Sequence, residues 1–179
     1  ASGSGARSAA PRSRPTASSA GPSPTPPVLD ALQASSLAAT IGQSQVWLAS
    51  LSAFHLIGFT LVMSAALVTN LHLSGVLMAD RPASELVRPA TRVLLAGLTV
   101  SLVTGALMFV PRATSAAGNP MFRAKLSLLL VASLLALVVQ PRLSARATAA
   151  GAPARLAGGA GLMLWLGVAL AACAFILLE

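Results

Sequence analysis

Residues 47–78 read WLASLSAFHLIGFTLVMSAALVTNLHLSGVLM and contain no Asp, Glu, Lys or Arg. A run of 32 residues is roughly 48 Å of α-helix at 1.5 Å per residue. The hydrocarbon core of a bilayer is about 30 Å thick and needs about 20 residues to cross. A lone strand would leave its backbone groups without partners in lipid, whereas a helix satisfies its own. The run therefore predicts a transmembrane helix that tilts or protrudes, with Trp47 at one interface.

Three further runs follow. The second extends from Thr91 to Val110 and is closed by Pro111. The third opens at Asn119-Pro120, with Asn as N-cap and Pro at the first helical position, and is expected to end at Gln140-Pro141. The fourth covers Leu156 to Leu178. Short connections after the second and third runs place neighbours antiparallel. The fold class is thus all-α: an integral membrane four-helix up-down bundle, with residues 42–179 as the transmembrane domain and spans at about 47–78, 91–110, 120–140 and 156–178.

Composition agrees. Charged residues make up 9% of the 179, against about a quarter in soluble domains. The net charge is +8, but the basic residues lie in a tail and in short loops. That arrangement suits anionic lipid headgroups, and without a basic face carrying interleaved aromatics it excludes nucleic acid as a partner. Eleven of the twelve basic residues are Arg, which suggests a bacterial chain and hence the inner membrane. Loops after the first and third spans hold Arg81, Arg88, Arg92, Arg142, Arg146 and Arg155; the loop after the second holds Arg112, Arg123 and Lys125. By the positive-inside rule six against three puts both termini in the periplasm. Cys173 is the single cysteine, so disulfides and cysteine metal clusters within one chain are excluded. It is expected to be a small buried hydrophobe.

Upstream of the spans the chain changes character. Residues 1–27 lack Leu, Ile and aromatics and carry Arg7, Arg12 and Arg14 among Ser, Ala, Gly, Thr and Pro. Such a segment cannot offset its own ordering entropy and is expected to order only against a partner. It has no central apolar stretch of a signal peptide, and the start at Ala1 points to processing. Residues 28–41 suggest one short interfacial helix with Asp30 as N-cap and Gln33 completing a capping box.

Ionisable residues inside spans are costly and often functional. His55 and His72 are the two histidines, both in the first span. They lie about 25 Å apart along the axis and about 100° apart around it. They cannot share one metal or one haem. Each is a candidate cofactor ligand alone, for haem b with a methionine (Met63, Met78, Met108, Met121 or Met163) or for a (bacterio)chlorophyll magnesium needing one axial His. A partner subunit could present the missing ligand. The alternative is an imidazole bonded to a neighbouring helix, with Thr69 one turn back available to His72. Arg123 and Lys125, at the start of the third span, are candidates for a lipid or quinone headgroup. Small residues at four-residue spacing mark packing faces: Gly97, Ser101 and Gly105 in the second span, Gly167 and Ala171 in the fourth. No catalytic triad, carboxylate pair, phosphate loop or metal cluster is present; Asp30, Asp80, Glu85 and Glu179 fall in loops or termini.

Three spans carry motifs of a resemblance. His55-Leu56-x-Gly58 and Asn70-Leu71-x-Leu73-x-Gly75 lie in the first span, Thr104-Gly105-x-Leu107-x-Phe109 in the second, and Asn119-x-x-Phe122-x-x-Lys125 opens the third. Over about residues 45–140 the chain resembles a family of uncharacterised bacterial four-helix inner-membrane proteins. It departs from that pattern at His72, where the family has Arg. It is more distantly similar to the copper-resistance D membrane family and the four-helix haem-dependent protoporphyrinogen oxidases, which place a functional His in a membrane helix. The resemblance implies that His55 and Lys125 are the positions to test.

The leading expectation is a non-catalytic accessory subunit of a photosynthetic or respiratory membrane complex, its tail contacting other membrane subunits. The alternative is a redox protein binding haem or (bacterio)chlorophyll through His55. A small transporter comes third, since few polar residues are present to line a pathway.

Overall fold

The computed structural model describes residues 26–146 and 151–177. All regular structure among them is helical. Helices α1 (Pro27–Gln33) and α2 (Ser36–Gln43) precede the long α3 (Gln45–Leu73). Helix α4 (Ala83–Phe109) ends in a 3-10 turn (Val110–Arg112) and is followed by the short α5 (Ala113–Gly118). Helix α6 (Pro120–Leu134) passes through a π turn (Leu135–Val139) into α7 (Gln140–Arg146), and α8 (Ala152–Leu177) is the last helix. Four stretches are long and apolar enough to cross a membrane: Gln45–Leu73, Glu85–Gly118, Pro120–Ser144 and Ala152–Ala174. The protein is a multi-pass helical membrane bundle. The expected tail falls mostly on residues 1–25, outside the described residues, as do Arg7, Arg12, Arg14 and Glu179.

Local chemistry moves several expected boundaries. The segment 28–41 is two helices, not one. Asp30 is not a cap: α1 begins at Pro27 with Pro at N1, and Ser35 interrupts the run by accepting from the Ala38 N–H as the N-cap of α2. The first span stops at Leu73 rather than Met78. Gly75 and Met78 take positive φ, at 77° and 47°, which a helix cannot continue through. The second begins at Ala83, eight residues early, and keeps Pro89 in its interior, where one backbone bond is lost. The third does not end at Pro141. In the π turn the Gln140 N–H already reaches back five residues to Leu135 O, so the i→i−4 ladder is broken just before the proline that would break it. Asn119 does cap α6, its side chain accepting from the Met121 and Phe122 N–H groups. Cys173 is exposed on α8, not buried.

The core is thin and made largely of small side chains: Val62, Ala65, Ala66, Leu94, Ala132, Ala136, Trp165 and Val168. Helices α3 and α4 pack along most of their length, and α8 lies against both α3 and α6. Helices α4 and α6 share no extended interface; α4 meets the third span mainly through α7 at its far end. Large apolar residues such as Leu56, Ile57, Leu102, Leu130 and Leu170 stay exposed, as lipid-facing surface does.

Close backbone approach decides two crossings. A methyl group added at Gly97 would lie 2.7 Å from Gly58 O and 2.9 Å from Val62 N. One added at Gly158 would lie 2.7 Å from Asn70 O. Of the anticipated packing faces, that of Gly97, Ser101 and Gly105 faces α3. Gly167 is looser: a methyl there would come no nearer than 3.5 Å to Leu128 Cδ1. The tight contact of α8 is instead at Gly158 and Gly161, which the spacing did not single out.

Candidate functional site

Because α4 and α6 diverge, a gap opens between the spans near the end that carries α1, α2 and α5. Two adjoining cavities of about 290 and 640 Å³ occupy it. They share His55 from α3, Gly105 and Phe109 from α4, and Phe122 and Lys125 from α6. The smaller is walled by Phe59, Leu102, Ala106, Leu126, Leu129 and Val168 and is apolar. The larger adds Ser52, Met108 and Arg112 and is more polar. Pockets of this size between helices of a bundle are typical of small-molecule sites.

His55 is held from α4. Its Nδ1 lies 2.9 Å from Ser101 O and 3.2 Å from Thr104 Oγ1. A carbonyl oxygen only accepts, so Nδ1 carries the proton and donates. In the neutral ring this leaves Nε2 with a lone pair, and none of the ring's hydrogen bonds uses it. The Gly58–Gly97 crossing brings α4 close enough for this bond, and Gly105 leaves room for the ring: a methyl there would lie 3.1 Å from Cε1. Thr104 donates its own hydroxyl to Val100 O at 2.7 Å and turns its oxygen towards the imidazole.

Lys125 is partly buried, and among the described residues no carboxylate pairs with it; the exposed pair Arg81–Glu85 lies at the start of α4, at the opposite end. Phe109 and Phe122 stack beside it with ring centroids 5.5 Å apart and an interplanar angle of 11°. Met108 approaches the cavity from α4, with its sulfur 3.9 Å from Ser52 Oγ. Arg123, two residues before Lys125, is exposed and does not line either cavity.

His72 is elsewhere. It is buried near the opposite end of α3, and its Nδ1 donates to Leu77 O at 2.9 Å. Leu77, not Thr69, satisfies it, and the bond ties down the turn after the helix. Nearby, the fully buried Asn70 accepts from Gln140 Nε2 at 2.7 Å and donates to Ala66 O. Sequence reasoning did not pair Asn70 with Gln140; 70 residues separate them, and Gln140 follows directly on a π turn that the sequence does not announce. It also missed Ser101 O and Thr104 as partners of His55, although the Thr104-Gly105 motif contained the signal.

A bundle of four spans enclosing a cavity with His and Lys defines a multi-pass membrane protein with an ionisable intramembrane chamber. The chain belongs to DUF6644, a family of unknown function, whose model matches residues 33–177. No curated protein and no solved structure matches it significantly.

Proposed function

We propose that this protein binds a metal-bearing tetrapyrrole within a bacterial inner membrane, whose metal His55 would hold. One observation carries the reading: the Nδ1–H of His55, a residue lining both cavities, is spent on a backbone carbonyl, which leaves the Nε2 lone pair outside the ring's hydrogen bonds. Metal-ligating histidines almost always donate their other ring N–H in this way, fixing tautomer and ring orientation. The remaining lining fits such a group. The joined cavities are of suitable size, the Phe109–Phe122 stack offers a flat aromatic wall, and Met108 supplies a second soft ligand atom in the same chamber. Lys125 and Arg112 line the polar part. Three motifs that are separate in sequence supply His55, Gly105 with Phe109, and Phe122 with Lys125 to one place. When bound, a haem would supply one-electron chemistry; the chain holds the His55 imidazole in one tautomer through the Ser101 carbonyl.

The test is the absorption spectrum of protein purified in mild detergent, with co-migrating chains identified by mass spectrometry. A Soret or chlorophyll-type band that His55→Ala removes, with helical circular dichroism unchanged, is the expected result. No band as purified and none after adding hemin would overturn the assignment. The same preparation addresses the accessory-subunit reading, which rests on the tail: stoichiometric partners carrying all the pigment would favour it, as part of a photosynthetic or respiratory electron-transport complex.

A further inference from the structure

Lys125 has a chemistry that an axial ligand does not explain. It lines both cavities, and the walls of the smaller are Phe59, Leu102, Leu126, Leu129 and Val168. An unpaired charge in such surroundings is costly, and within spans ionisable residues pair with one another or mark a ligand path. No described carboxylate pairs with it. Snorkelling relieves a lysine at a helix end, yet Lys125 is partly buried and lines both cavities, whereas its neighbour Arg123 is exposed and lines neither.

The chamber's boundary shows how the counter-charge arrives. Helices α4 and α6 share no extended interface, and beyond the Phe109–Phe122 stack the wall residues Leu102 and Leu126 are about half exposed, at 51% and 46%. The seam between them therefore faces lipid. A small hydrophilic anion would have to cross apolar surface to enter there, whereas an acid on an apolar body already resides in the bilayer.

We propose that Lys125 is the binding residue for a carboxylate carried on a large apolar body, which enters from the bilayer between α4 and α6. Two sources share this chemistry: the propionates of a tetrapyrrole and the head of a long-chain fatty acid. The inference rests on the cavity of the reading above but not on its metal.

The experiment uses the whole protein in lipid nanodiscs. Trp165 is the reporter: it is buried at 2% exposure and lies one turn from the cavity residue Val168. Trp47, the other tryptophan, is replaced by Phe. Metal-free protoporphyrin IX and its dimethyl ester are titrated, with Trp165 quenching as the readout. The free acid should quench saturably and the ester far more weakly. Lys125→Met should weaken the acid by roughly tenfold to a hundredfold, as expected for a hydrogen bond to a charged group. Lys125→Arg should restore most of it. Displacement by stearic acid, but not by methyl stearate, would assign the site to acyl chains; failure of both to displace would assign it to the ring. Equal binding of acid and ester, or an unchanged affinity in Lys125→Met, would overturn the proposal. Loss of the haem band in His55→Ala is read separately, so either idea can fail alone.

Discussion

Replacing Asn70 by Ala should be among the most damaging single changes in the bundle, and more damaging than replacing its partner. Asn70 is fully buried at 0% exposure, and Gln140 is at 1%. Their one mutual bond, Gln140 Nε2 to Asn70 Oδ1 at 2.7 Å, joins the first span to the third. Gln140 Oε1 is already buried without a partner. Asn70→Ala therefore strips the last side-chain hydrogen bond from a buried amide, whereas Gln140→Ala removes the orphaned oxygen together with the bond. A buried polar group left unsatisfied costs about 1–3 kcal/mol. Interhelical hydrogen bonds in membranes average only about 0.6 kcal/mol, with a maximum near roughly 1.7, because the membrane-unfolded state also finds partners. Asn70→Ala should thus cost about 2 kcal/mol and Gln140→Ala about 1 kcal/mol, with the double variant close to Asn70→Ala alone.

The assay is reversible unfolding in mixed micelles of mild detergent and SDS, followed by circular dichroism, run as a double-mutant cycle. A coupling of about 1 kcal/mol is expected, well beyond the roughly 0.3–0.5 kcal/mol scatter of independent sites. A coupling inside that scatter, or Gln140→Ala costing more than Asn70→Ala, would refute the reasoning.

Other substitutions separate packing from site. Gly97→Ala should destabilise by about 1–3 kcal/mol in the same assay, because its methyl meets backbone at Gly58 and Val62; Gly159→Ala, with nothing within 4 Å, should be neutral or slightly stabilising. Gly105→Val should cost less than Gly97→Val, since the obstacle is the end of the His55 side chain, yet it should abolish a cofactor band in the absorption spectrum. His72→Ala should leave that band intact and increase proteolysis of the turn at 74–82, whose anchor is the His72–Leu77 bond.

The four spans were legible because each apolar run alone meets what a bilayer requires, and nothing else satisfies a backbone in lipid. Their ends were less so. Pro141 reads as a stop until the π turn at Leu135–Val139 is known, and a π turn has no composition of its own. Ser35 splits the expected single helix by capping a second one, its side chain accepting from the Ala38 N–H. The site was half visible. His55 and Lys125 stand out as ionisable residues in or beside spans, and they do share a cavity. The separation of His55 from His72 also followed from helical geometry. What sequence could not supply was the divergence of α4 from α6, which depends on where α8 packs and not on any local pattern.

Packing and chemistry are linked at the crossing of α3 and α4. Without a Cβ at Gly58 and Gly97, the two backbones approach so closely that any added methyl would overlap main-chain atoms. One turn towards the site, the same proximity lets the His55 imidazole reach the Ser101 carbonyl at 2.9 Å, a backbone acceptor that no side-chain change on α4 can remove. The ring's orientation is therefore set by the helix crossing itself. A small-residue face usually says only that two membrane helices touch. Here it also determines which imidazole nitrogen carries the proton, so the same glycines that stabilise the pair fix the tautomer of His55.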